Sequence, residues 1–79
     1  MNKDYYRTGR IFKPEIGGTY ENAGGGLYVC VSNVDWSEED SKATLVNFLS
    51  RWTFEAHGIK RYIDGRIEWD YSTGGRFVK

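Results

Sequence analysis

Residues 42–52, KATLVNFLSRW, admit two readings, and the fold class turns on which one holds. As a helix, Leu45, Phe48, Leu49 and Trp52 fall at i, i+3, i+4 and i+7, and Ser37 with Asp40 just upstream resembles a capping box. As a strand, Thr44, Val46 and Phe48 alternate with Ala43, Leu45 and Asn47. The alternation then continues through Trp52-Thr53-Phe54-Glu55-Ala56-His57. The first reading makes an α+β domain with a helix at about 37–51, and the second makes an all-β domain. The pattern inside this stretch does not separate them.

The flanking sequence is richer in β signals. Upstream, GTYEN and LYVCVS are β-prone runs joined by Ala23-Gly24-Gly25-Gly26, whose glycines can take positive φ, so residues 18–22 and 27–32 read as a hairpin. Leu27, Val29 and Val31 form an aliphatic face, opposite Tyr28, Cys30 and Ser32. Downstream, YIDGRIEWDY places Asp64-Gly65 between two alternating runs, a strong hairpin signal. A two-residue turn there would set Arg61 opposite Glu68 and Lys60 opposite Trp69, with Tyr62, Ile67 and Trp69 on one face. Ser72-Thr73-Gly74-Gly75 reads as a further turn, with Arg76-Phe77-Val78 a short last strand. Arg10 to Lys13 reads as a short extended piece before Pro14.

Composition bounds the remainder. The chain has 79 residues, 16% of them aromatic, with 11 Lys+Arg against 11 Asp+Glu. It fits a single domain, residues 1–79, with 1–10 as a flexible arm. Dense aromatics and zero net charge argue against intrinsic disorder. The core expected from these elements is Tyr20, Leu27, Val29, Val31, Leu45, Trp52, Phe54, Ala56, Tyr62, Ile67 and Trp69. No stretch approaches the ~18 apolar residues of a spanning helix, and the first 20 residues carry no signal-peptide pattern. The expectation is a cytoplasmic protein.

The residues available for chemistry are few. One Cys and one His exclude a disulfide within the chain and the common zinc patterns, so no metal or cofactor is assigned. Gly24-Gly25-Gly26 lacks the phosphate-loop pattern GxxxxGK[ST] and is followed by a strand, not a helix. His57 with Cys30 or a carboxylate is the minimum for a hydrolase, but Cys30 lies mid-strand in an apolar run, as an inert buried thiol does. The chain therefore reads as a non-enzyme.

Two binding surfaces remain. Residues 16–57 hold Lys42 and Arg51 against Glu21, Asp35, Glu38, Glu39, Asp40 and Glu55, while the flanking thirds are each basic by two charges. Within the acidic middle, Trp36 beside Glu38, Glu39 and Asp40 is a candidate protein-binding anchor, because Trp is enriched at interface hot spots. Its competing role is to fold back over one end of the core. Basic residues interleaved with aromatics, namely Arg7, Arg10, Lys60, Arg61, Arg66 and Arg76, offer the alternative of single-stranded nucleic-acid binding on a small barrel. An unpaired sheet edge also makes a homodimer an available assembly.

The segments FKPEIGGTYENAGGG, WTFEAHGI and YIDGRIEWDYSTGGRF resemble a family of small uncharacterised proteins of about this length encoded on prophages and mobile elements of gut bacteria. The resemblance runs from about Phe12 to Phe77. It implies a strand at 43–49 followed by a Ser-Gly-Trp turn, where this chain has Ser50-Arg51-Trp52. It carries no known activity, ligand or catalytic residue. The reading that follows is an all-β domain, a small curved antiparallel sheet or SH3-like barrel of five to six strands. Its function would be that of a non-enzymatic module docking on a protein partner as a mobile-element accessory protein.

Overall fold

Residues 43–47 are a strand, and residues 48–51 turn the chain back. In the computed structural model, which describes residues 9–77, there is no helix among the described residues. Ser37 does cap a turn, its hydroxyl accepting from the Asp40 N–H at 3.0 Å, but the turn closes within four residues and leads into a strand. The helix at 37–51 is thus replaced. Thr44 and Val46 are stiff β-branched residues, and the strand that holds them is hydrogen-bonded on both sides.

The strands are β1 (Arg10–Ile11), β2 (Thr19–Glu21), β3 (Leu27–Ser32), β4 (Ala43–Asn47), β5 (Trp52–His57), β6 (Lys60–Arg61), β7 (Ile67–Glu68) and β8 (Tyr71–Phe77). One sheet has the order β2-β3-β4-β5-β8, the other β1-β6-β7, and every strand pairing within them is antiparallel. An isolated parallel bridge from Asn22 to Ile67 ties the two together. The sheets do not close into an SH3-like barrel, because β2 and β8 are outer strands that do not pair with each other. Arg7 and most of the proposed arm lie outside the described residues. Among the described residues, no helix is long and apolar enough to cross a membrane.

The core lies on one face of the five-stranded sheet. Cys30 pairs with Leu45, Leu45 with Phe54 and Ala43 with Ala56, so these five share a face, and all are buried. Ile59, just before β6, and Ile67 of β7 join them in the core, with Phe12, Tyr20, Tyr28 and Trp69 packed around. Tyr28, Phe54 and Trp69 form a triangle of rings with centroids 5.1–5.7 Å apart. Each such pair contributes about 0.5–1.5 kcal/mol beyond its area.

Three expectations change. Strand β3 turns Tyr28 and Cys30 inward, leaving Leu27 and Val31 40% and 47% exposed, and the ring of Tyr28 packs edge-to-face against both Phe54 and Trp69. The Asp64-Gly65 hairpin exists, but Arg61 pairs with Ile67 and Lys60 with Glu68. The Gly65 N–H donates to the Tyr62 carbonyl and the Tyr62 N–H to Arg66, with Gly65 at φ 87°. That is a three-residue loop with a glycine bulge, one residue longer than the two-residue turn. The anticipated Arg61–Glu68 pair therefore does not form. Finally, Ser72-Thr73-Gly74-Gly75 is not a turn but the middle of β8.

Candidate docking edge

Strand β8 pairs with β5 alone, and all seven of its residues are exposed. Its partners run Trp52 to Phe77 and Thr53 to Arg76, then shift so that Glu55 meets Thr73 and His57 meets Tyr71. Phe54 consequently faces two residues, Gly74 and Gly75, which makes a β-bulge. Gly74 takes φ 68°, and Gly75 leaves room for the Trp52 indole that lies against it. A Gly-Gly pair marks a turn as readily as a glycine within a strand marks a bulge, so its composition does not distinguish the two.

Aromatic groups stand at both ends of this edge. Trp52 and Phe77 meet edge-to-face at 4.8 Å, and Phe77 is 69% exposed. At the other end Tyr71 stacks flat on His57 at 4.4 Å. Seven residues in extended form separate the two ends by about 20 Å. Phe48 and Leu49 are also exposed, in the turn that leads into Trp52.

His57 braces β8 from the outer face of the sheet. Its Nδ1 lies 3.2 Å from Asp40 Oδ1 and its Nε2 2.9 Å from Thr73 Oγ1. Lys42 continues the network, 3.9 Å from Glu55 and 3.6 Å from Asp35. The acidic turn and the outer strand are thereby tied together through a buried imidazole. Alternation along β5 puts His57 with Thr53 and Glu55, opposite to Phe54 and hence to Cys30. No Cys–His dyad forms. Burial pushes the Cys30 thiol up, against a smaller opposing effect of the Ser32 backbone.

The candidate residues are dispersed. Trp36 is half-buried, donating its Nε1–H to the Phe12 carbonyl at 3.3 Å with Lys13 over its ring at 5.6 Å. It folds back onto the amino-terminal segment and is not a free anchor. Glu38 and Glu39 are exposed on the turn, while Asp40 is engaged by His57. Among the basic residues, Lys60 pairs with Asp70 at 3.0 Å, and Arg66 with Glu21 at 3.2 Å and Asp64 at 3.8 Å. Arg10 and Arg61 sit directly opposite each other on β1 and β6. Arg76 lines a separate hollow of about 170 Å³ with Thr44, Thr53, Glu55 and Gly74. The five described basic positions therefore do not form one surface, and Arg7 lies outside the described residues. Among the described residues, no three His, Cys, Asp or Glu side chains cluster to hold a metal.

No family model, curated protein or solved structure matches the chain. The edge is therefore read on its own geometry.

Proposed function

We propose that this protein is a non-enzymatic binding module that docks on a protein partner by accepting an extended segment along β8. The observation that carries the reading is a seven-residue outer strand, exposed throughout, with aromatic residues at each end. An unpaired strand presents a row of N–H and C=O groups as a template for another chain. Main-chain hydrogen bonds then supply affinity, and alternate side chains supply specificity. The partner segment would place apolar side chains against Tyr71 on one face and Trp52 with Phe77 on the other. A carboxylate opposite Arg76 would complement its charge. The role of accessory protein of a mobile element, acting in the cytoplasm, rests on the family resemblance and belongs to the same proposal.

The test is site-specific photo-cross-linking in nuclease-treated native host lysate, with the reactive side chain at Tyr71, at Phe77 or, as control, at Ile63 in the β6–β7 loop. Recovery of one protein from positions 71 and 77 but not 63 supports the reading. Equal recovery from all three positions, or none from 71 and 77, overturns it.

A further inference from the structure

A second surface, remote from β8 in the strand order, has its own chemistry. Strands β1 and β6 frame an open cleft of about 390 Å³ lined by Arg10, Ile11, Phe12, Arg61, Tyr62 and Ile63. That volume falls in the ~300–1,000 Å³ range of small-molecule clefts. Arg10 and Arg61 are direct cross-strand partners, both exposed, and among the described residues neither meets a carboxylate. Like charges directly opposite across a ladder are destabilising. By contrast Lys42, Lys60 and Arg66 each have a carboxylate within 4.0 Å.

Arg61 is also held in place by its neighbours. The Arg61 guanidinium lies over the Phe12 ring at 5.0 Å and near Tyr20 at 5.9 Å, and its Nε–H donates to the Gly65 carbonyl at 3.4 Å. Guanidinium groups recognise phosphate through paired N–H donors, and their flat faces stack on bases. Ile11 and Ile63, 57% and 81% exposed, add apolar surface at the same cleft.

We propose that this cleft binds a nucleoside phosphate, its phosphate neutralising Arg10 and Arg61 together and its base lying on the exposed face of Arg61 against the isoleucines. The ligand is a free nucleotide or one unit of a single strand, since both present the same groups. This proposal is independent of docking at β8 and stands or falls without it.

The experiment is a residue-resolved NMR titration of the full chain at low salt with adenosine monophosphate, inorganic phosphate, adenosine and a short oligoadenylate. Saturable shifts centred on residues 10–12 and 61–63 are expected with the monophosphate. Loss of one charge-assisted contact should weaken binding by about ten-fold or more, so Arg10→Gln and Arg61→Gln should each show that loss, while Arg76→Gln should not. Arg10→Gln removes like-charge repulsion, so its thermal midpoint should equal or exceed that of the parent, whereas Arg61→Gln also gives up its contacts with Phe12, Tyr20 and Gly65, so for that variant unchanged resonances outside residues 10–12 and 61–66 separate lost binding from lost folding. Oligoadenylate binding more tightly than the monophosphate, with a steep salt dependence, identifies a single strand as the source. Equal affinity identifies the free nucleotide. The proposal is overturned by absent or displaced shifts, by parent-like affinity in both variants, or by inorganic phosphate or adenosine alone matching the monophosphate.

Discussion

Replacing Arg51 by glycine should stabilise this protein. Arg51 closes the turn between β4 and β5 at φ 65°, the one non-glycine residue at positive φ among those described. The turn is otherwise well made. Asn47 Oδ1 accepts from the Leu49 and Ser50 N–H groups at 3.0 and 2.9 Å, and the Arg51 N–H donates to the Asn47 carbonyl at 2.9 Å. The strained backbone is therefore imposed by its surroundings. The left-handed region costs an L-residue about 1–2 kcal/mol, and glycine returns about 0.5–1 kcal/mol of that as extra unfolded-state entropy. The net gain is about 0.5–1 kcal/mol. For a domain of this size, about 4–8 °C per kcal/mol makes the rise in Tm about 2–8 °C. The assay is thermal unfolding followed by circular dichroism, with Arg51→Ala as control. Alanine keeps the strain, so its Tm should stay near that of the parent. An Arg51→Gly variant no more stable than Arg51→Ala would refute the reasoning.

Gly75→Ala would drive a methyl group into the Trp52 indole. It should cost about 1–3 kcal/mol and shift Trp emission as Trp52 leaves Phe77, both measurable in one fluorescence-monitored denaturation. For Cys30, a raised folded-state pKa means that the unfolded chain releases the thiol proton first as pH rises. The stabilisation is complete below about pH 9 and falls away above it, so Cys30→Ala should flatten the stability profile in that range, and the parent thiol should react with alkylating reagents only on unfolding. Trp36→Ala should lower stability by about 1–3 kcal/mol through a lost hydrogen bond and lost packing, yet leave cross-linking from Tyr71 unchanged. Reduced cross-linking in a folded Trp36→Ala variant would return the acidic turn to the docking surface.

What the sequence made legible was local. Glycines 24–26 between two β-prone runs mark the β2–β3 hairpin, and Asp64-Gly65 marks the next turn. Alternation through residues 43–57 allows the strands that form. The choice between strand and helix for 42–52 lay outside that segment, in the hydrogen bonds that β3 and β5 make to β4. The facing of β3 was hidden for a related reason, since both of its faces are burial-prone and only the position of the Trp69 ring selects Tyr28. Hairpin register escaped because a dipeptide signals a turn without setting its length. The outer strand β8 was obscured by Gly74-Gly75, which has one composition for a turn and for a bulge. Trp36 was ambiguous because its partner, the Phe12 carbonyl, lies 24 residues away.

The most direct test of the central claim is residue-resolved amide hydrogen exchange along residues 71–77, in the free protein and in the complex purified by cross-linking. In an antiparallel outer strand successive amides point alternately toward the neighbour and toward solvent, with the bulge at Gly74-Gly75 as a local interruption. The account predicts that the amides directed away from β5 exchange rapidly in the free protein and become protected in the complex. Protection of those amides in the free protein, or their continued rapid exchange in the complex, would contradict it.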